Sequence, residues 1–127
     1  MKILGIGVDI IKNKRIKSLL KNKNFIKRTF GKKEVQLSRK ISNKDLYFAK
    51  RFVAKESFAK ALGTGFRNNL NFKDIEILND KIGKPYYFKS IKINNIVRQK
   101  FNIKKYNLFL SISDEKDYSI AFTILQK

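Results

Sequence analysis

Two acidic side chains stand apart in this sequence. Asp9 lies inside Gly5-Ile6-Gly7-Val8-Asp9-Ile10, an otherwise apolar run. Glu56 follows Arg51-Phe52-Val53-Ala54-Lys55 and precedes Lys60. Two isolated carboxylates in a chain this basic can share a divalent cation that holds a phosphate ester. Magnesium suits such a pair: it takes oxygen ligands, keeps several waters, and often uses one or two carboxylates plus substrate phosphates. At helical spacing Ala49, Val53, Glu56 and Lys60 form one stripe, so Lys60 would face the same anion as Glu56. The same spacing also describes an ordinary Glu–Lys pair, which on an exposed helix contributes only ~0.2–0.5 kcal/mol. Asp9 has its own alternative, a strand-end carboxylate capping the next helix. Buried in apolar surroundings, it needs a partner or gives up its charge.

Composition narrows the chemistry. The 127 residues include no cysteine and no histidine. Disulfides, Cys/His zinc sites and Ser-His or Cys-His nucleophile pairs are therefore excluded. Proton transfer is left to carboxylate, lysine, tyrosine or water. Thirty Lys+Arg against 10 Asp+Glu give a formal charge of +20. That excess points to an anionic partner: nucleic acid, a membrane surface, an acidic protein or a phosphorylated small molecule. The recurrence of Lys, Asn and Ile along the chain equally fits a compositional bias with a solvated basic surface. A cysteine-free chain fits a reducing cytoplasm. The N-terminal apolar run is interrupted by Asp9 and reads as a strand, not a signal peptide, and nothing approaches the ~20 apolar residues of a membrane span. Gly5-Ile6-Gly7 lacks the third glycine of a dinucleotide fingerprint, and no P-loop is present.

The elements that must position these residues can be read in order. Residues 2–11 are β-branched and almost continuously apolar, which predicts a buried strand. Residues 13–20 read as a short basic helix with Ile16, Leu19 and Leu20 on its apolar side. A basic-aromatic stretch follows at 25–30, and Gly31 marks a break before another short helix at 33–39. Ser42-Asn43-Lys44-Asp45 has capping-box form, with the Ser42 hydroxyl accepting from the Asp45 N–H. The helix it starts runs to Leu62, where Gly63 is placed to end it. Residues 72–78 alternate as a strand, with Ile75 and Ile77 on one face. Asn79-Asp80 and Gly83-Lys84-Pro85 supply turn chemistry for a hairpin into residues 86–88. Residues 91–101 fit a helix less clearly. Residues 106–113 and 118–125 read as two closing strands joined by an acidic turn. The expectation is one α+β domain spanning residues 1–127, a mostly antiparallel sheet packed on a long central helix.

Three blocks in this order make the chain resemble the bacterial holo-acyl-carrier-protein synthases, the small 4'-phosphopantetheinyl transferases. They are Gly5-Ile6-Gly7-Val8-Asp9-Ile10 with Arg15-Ile16 following; Arg51 to Glu56 continued by Lys60-Ala61-Leu62-Gly63-Thr64-Gly65; and Phe72-Lys73-Asp74-Ile75-Glu76-Ile77 followed by Gly83-Lys84-Pro85. The resemblance covers nearly the whole chain. It implies a reaction of fatty acid biosynthesis in which coenzyme A binds with magnesium on its diphosphate. The serine hydroxyl of an apo acyl carrier protein attacks the β-phosphorus, phosphopantetheine moves to that serine, and 3',5'-ADP leaves. It implies Asp9 and Glu56 as metal ligands, and Lys60 with Lys55 on the phosphate oxygens. Glu56, or a water on the metal, would accept the serine proton. Arg51 and the Gly83, Lys84 and Pro85 turn would bind the nucleotide part of coenzyme A. It further implies a homotrimer with active sites between subunits, and an acidic carrier received by Arg15, Leu19, Phe25 and Arg28.

Two positions depart from the family pattern. Lys12 stands where a glutamate is usual, and Asp114 follows Ser111-Ile112-Ser113 where a histidine is usual. Two other readings fit the chain: a basic nucleic-acid-binding module, and a homologue that binds the carrier without transferring anything. Against the first, aromatics are not interleaved with the basic clusters as a stacking platform needs. No nucleic acid or membrane partner is expected.

Overall fold

The computed structural model describes residues 1–67 and 69–127. Strand β1 (Ile3–Lys12) leads into three short helices, α1 (Asn13–Leu19), α2 (Lys23–Thr29) and α3 (Lys32–Ser38). The long helix α4 (Lys44–Leu62) follows. Then come a 3-10 turn (Phe72–Asp74), β2 (Ile77–Asn79), β3 (Pro85–Tyr87), α5 (Ile91–Phe101), β4 (Asn107–Asp114) and β5 (Tyr118–Gln126). One antiparallel sheet has the order β1-β5-β4, and β2 pairs with β3 in a separate hairpin. The expected α+β class and long central helix are both present.

Helix α4 begins at Asn43, whose Oδ1 accepts from the Leu46 N–H at 3.2 Å. The cap is thus one residue later than Ser42, because asparagine supplies the same short acceptor there. At the other end Gly63 takes φ +86°, and its N–H donates to the carbonyls of Ala59 and Lys60. Ala49, Val53, Ala54, Phe58, Ala61 and Leu62 bury the helix against the sheet.

Glycine sets the spacing between α4 and β1. A Cβ at Gly5 would come within 1.8 Å of the Ala61 carbonyl oxygen, and one at Gly7 within 1.8 Å of the Ser57 carbonyl oxygen. Only a residue without a side chain lets strand and helix backbones approach this closely.

The opposite face of β1 corrects the expectation of a fully buried strand. Ile6, Val8 and Ile10 are 55%, 49% and 59% exposed. The register sets Val8 beside Phe122 and Ile10 beside Ile120, with Phe109 of β4 beside Ile124, so the outer side of β1 and β5 is an apolar surface that extends to Phe109, while Ser111 and Ser113 continue β4 on the same face. Alternation could not reveal it, because the outward residues Ile6, Val8 and Ile10 are as apolar as buried ones.

A cluster of hydroxyls joins the layers on the inner side. The Ser57 and Thr123 hydroxyls lie 2.6 Å apart, the Tyr87 and Thr123 hydroxyls 2.7 Å apart, and Tyr87 donates to the Ala54 carbonyl at 2.6 Å.

Residues 72–78 are only partly the strand that alternation predicts. Ile75 and Ile77 are buried, but the segment opens with the 3-10 turn, and β2 is three residues long. The Lys55 ammonium donates to the carbonyls of Phe72 and Ile75 in this segment.

Candidate active site

Gly5, Gly7 and Asp9 share one face of β1, since strand side chains alternate. The first two bring the backbone onto α4, and Asp9 is therefore carried to the helix surface two residues further along. There the Lys60 ammonium lies 3.0 Å from Asp9 Oδ1 and 3.0 Å from the Val8 carbonyl oxygen. The Asp9 side chain is 19% exposed and that of Lys60 54%. Glu56, one turn before Lys60, is half-buried. Partial burial raises its carboxyl above the ordinary carboxylate range, the nearby Asp9 charge raises it further, and Lys60 works in the other direction. The structure thus brings Asp9, Glu56 and Lys60 together at the solvent edge of β1 and α4.

Two carboxylates that repel each other, with a cation alongside, fit magnesium held partly by substrate. Among the described residues no third Asp, Glu, His or Cys joins them. The remaining positions on such an ion would belong to water and phosphate oxygens, the arrangement magnesium favours.

Lys55 requires a correction. It is fully buried, and its ammonium lies 2.6 Å from Glu34 Oε1. The other Glu34 oxygen accepts from the Ile77 N–H at 3.1 Å. Lys55 therefore ties α4 to α3 and to the segment before β2, and cannot present its charge to a phosphate beside Glu56. Burial pulls its ammonium below the ordinary lysine value, while Glu34 opposes that shift. Burial likewise pushes Glu34 upward against the opposing pull of Lys55. Glu34 went unnoticed in the sequence because its partner is distant along the chain; the only local sign was an acid in the first turn of a basic helix.

Arg51 is also inside, 4% exposed, and Nη2 donates to Asn79 Oδ1 at 2.6 Å. Its guanidinium lies 3.7 Å from the centre of the Tyr47 ring. Direct contact with a nucleotide is thus corrected to contact with the end of β2. The Gly83-Lys84-Pro85 turn is exposed at Gly83 and Lys84, with Gly83 at φ +94°. Asp80 Oδ1 closes it by accepting from the Ile82 and Lys84 N–H groups, both at 2.9 Å.

On the α1–α2 side Arg15, Leu19 and Arg28 are exposed. Phe25 is not: it is 6% exposed and packs edge-on against Phe30 and obliquely against Phe52. Its expected place as a surface contact is corrected to a core position, leaving Leu19 as the apolar group outside.

Lys12 and Asp114 both line an open cleft of about 970 Å³ between α1, the start of α4 and the β4–β5 turn. Asp114 is outside the Asp9–Glu56–Lys60 cluster. Asn13 fixes this turn to α1: its Nδ2 donates to the Glu115 and Lys116 carbonyls, and its Oδ1 accepts from the Ser119 hydroxyl at 2.7 Å. None of the described helices is long and apolar enough to cross a membrane.

The chain matches the model of the 4'-phosphopantetheinyl transferase superfamily over residues 5–123. It is 61% identical to a holo-[acyl-carrier-protein] synthase of Pelagibacter ubique, covering 100% of this chain and 99% of the relative. Its fold is similar to the crystal structure of the Neisseria meningitidis holo-[acyl-carrier-protein] synthase, with a TM-score of 0.89, 38% identity, and 99% and 100% of the two chains covered. It is also similar to the Bacillus anthracis enzyme solved in complex with CoA (3',5'-ADP), with a TM-score of 0.79, 34% identity, and 98% and 96% covered.

Proposed function

Because this chain belongs to the 4'-phosphopantetheinyl transferase superfamily, we propose that it transfers 4'-phosphopantetheine from coenzyme A to the acceptor serine of an apo acyl carrier protein, releasing 3',5'-ADP. The observation that carries this reading is the meeting of Asp9, Glu56 and Lys60 on one edge of the molecule. It is the constellation that phosphoryl transfer requires, in which positioning and charge stabilisation do most of the work.

Asp9 and Glu56 would hold magnesium through their carboxylate oxygens. The ion, when bound, supplies positive charge to the diphosphate and to the leaving 3',5'-ADP. Lys60 is exposed enough for its ammonium to leave Asp9 for a phosphate oxygen, where it stabilises charge developing in the transition state. The Glu56 carboxylate would accept the serine proton. The serine oxygen bonds to the β-phosphorus as the bond to the bridging oxygen breaks. The exposed turn at Gly83 and Lys84 supports binding of the nucleotide part, oriented by the buried Arg51.

The carrier would dock on α1 and α2 through Arg15, Leu19 and Arg28. Its acidity would match this basic surface, speeding encounter in a salt-dependent way. The apolar face of Ile6, Val8, Ile10, Phe109, Ile120 and Phe122 supports burial between copies of the chain, consistent with a homotrimer. The reaction belongs to fatty acid biosynthesis in the cytoplasm.

The test is intact-mass spectrometry of an apo acyl carrier protein incubated with this chain, coenzyme A and magnesium, with an EDTA control. A gain of one phosphopantetheine that EDTA abolishes is expected. No gain despite coenzyme A binding would support a carrier-binding homologue without transfer. The absence of both gain and binding would overturn the reading.

A further inference from the structure

Arg51 and the Gly83-Lys84-Pro85 turn do not touch, yet one side chain joins them. The Asn79 amide, at the end of β2, accepts from Arg51 Nη2 at 2.6 Å through its oxygen and donates to the Gly83 carbonyl at 2.9 Å through its nitrogen. The guanidinium it accepts from is 4% exposed, and its Nε is buried without a hydrogen-bond partner among the described residues. Asn79 is therefore the principal polar anchor for Arg51. The turn has local closure of its own: Asp80 Oδ1 holds the Ile82 and Lys84 N–H groups, and the Gly83 N–H donates to the Asp80 carbonyl at 3.0 Å. Those bonds give the loop its shape but do not fix its angle to α4. The amide of Asn79 ties that shape directly to Arg51 on the helix carrying Glu56, while further along β3 the Tyr87 hydroxyl donates to the Ala54 carbonyl of the same helix at 2.6 Å.

We infer that Asn79 is a positioning residue, a two-ended relay by which the buried Arg51 sets the orientation of the turn toward coenzyme A. The inference rests on the reading above that this turn contacts the nucleotide. Arg51 then acts on binding through Asn79 and not by contact. An amide is the chemistry that can do this, since one end must accept and the other must donate.

Two substitutions separate the relay from a general structural role. Asn79→Ala removes both bonds, and KM for coenzyme A should rise about tenfold with kcat nearly unchanged. Asn79→Asp keeps an acceptor and gives the buried guanidinium a charged partner, but it loses the donor to Gly83. Its melting temperature without ligand should equal or exceed that of the parent chain, while its KM rises like that of the alanine variant. A structural residue would move KM and melting temperature together. A parent-like KM in Asn79→Asp, or an unchanged KM in Asn79→Ala, overturns the relay. Hydrogen exchange at the Ile82, Gly83 and Lys84 amides, measured without coenzyme A, reports the relay independently of the ligand. Faster exchange in both variants is expected, and unchanged exchange overturns the inference. If the parent chain binds no coenzyme A while exchange responds as expected, it is the nucleotide reading that fails and not the coupling.

Discussion

The Gly7 Cα and the Ser57 carbonyl are so close that a single added methyl would sit 1.8 Å from the carbonyl oxygen. The reach from Asp9 to Lys60 is therefore set by backbone against backbone. Side chains decorate a distance that glycine has already fixed.

Gly7→Ala should be among the most damaging small substitutions in the chain. The methyl meets main chain, which cannot swing aside, so β1 must lift from α4. A destabilisation of about 3 kcal/mol or more is expected, with transfer lost even in the fraction that stays folded. Chemical denaturation together with carrier mass spectrometry checks both parts. A stable, active Gly7→Ala protein would show that strand and helix are not held at this spacing.

Glu56→Gln and Asp9→Asn should each lower magnesium-dependent transfer by about a thousandfold or more, while leaving the circular dichroism spectrum unchanged. Glu56→Gln removes a carboxylate that Asp9 repels, so its melting temperature should not fall. Turnover like that of the parent chain would remove Glu56 from the site.

The buried place of Lys55 has its own consequence for stability. Lys55→Met leaves Glu34 buried without its cation and should cost about 3–5 kcal/mol. Coenzyme A affinity of the folded protein should change little. The double variant Glu34→Leu, Lys55→Met should recover much of the loss, because an apolar pair replaces the ionic one. A large rise in KM with no change in stability would return Lys55 to the phosphates.

Alkali should unfold the chain through its tyrosines. Burial raises the Tyr47, Tyr87 and Tyr106 phenols above their ordinary value of 10.0, that of Tyr106 to about 12. A pKa raised by folding contributes stability that is whole below pH 10 and is lost as pH rises through the folded value. Tyr47 also donates to the Glu34 carbonyl at 2.6 Å and Tyr106 to Asn94 Oδ1 at 2.6 Å, and both bonds need the proton. Stability measured by denaturant should thus fall between pH 10 and about 12, with tyrosinate absorbance rising in step. Full ionisation below pH 11 in the folded state would contradict this burial.

The outer sheet face predicts its own test. Phe122→Glu places a charge amid Val8, Ile120 and Phe109, and should convert the proposed trimer to monomers in sedimentation velocity while leaving the inner core intact. A trimer that persists would put the subunit contact elsewhere.

Much of the site could be read along the chain because its signals are local. Helix α4 is announced by the capping residues at 42–45 and stopped by Gly63, and Glu56 and Lys60 follow from one turn of spacing. Asp9 stood out as a charge inside an apolar strand. What stayed hidden depends on partners far away in sequence. Lys55 looks like Lys60 until Glu34 arrives from α3, and Arg51 looks like a surface cation until Asn79 arrives from β2. Phe25 lies in a stretch with Lys23, Lys27 and Arg28 yet turns inward to Phe52. The open face of β1 was invisible because its outward residues are as apolar as a core requires.

The hydroxyls of Ser57, Tyr87 and Thr123 have a further consequence. Like the Glu34–Lys55 pair they are polar groups inside the core, and each belongs to a different element. Oily surfaces slide past one another at little cost, but hydroxyls do not, since a shift of one residue would leave all of them unpaired and dry. This small knot acts as a registration mark, specifying which turn of α4 faces which rung of β5. It thereby keeps Glu56 level with Asp9 rather than one step above or below.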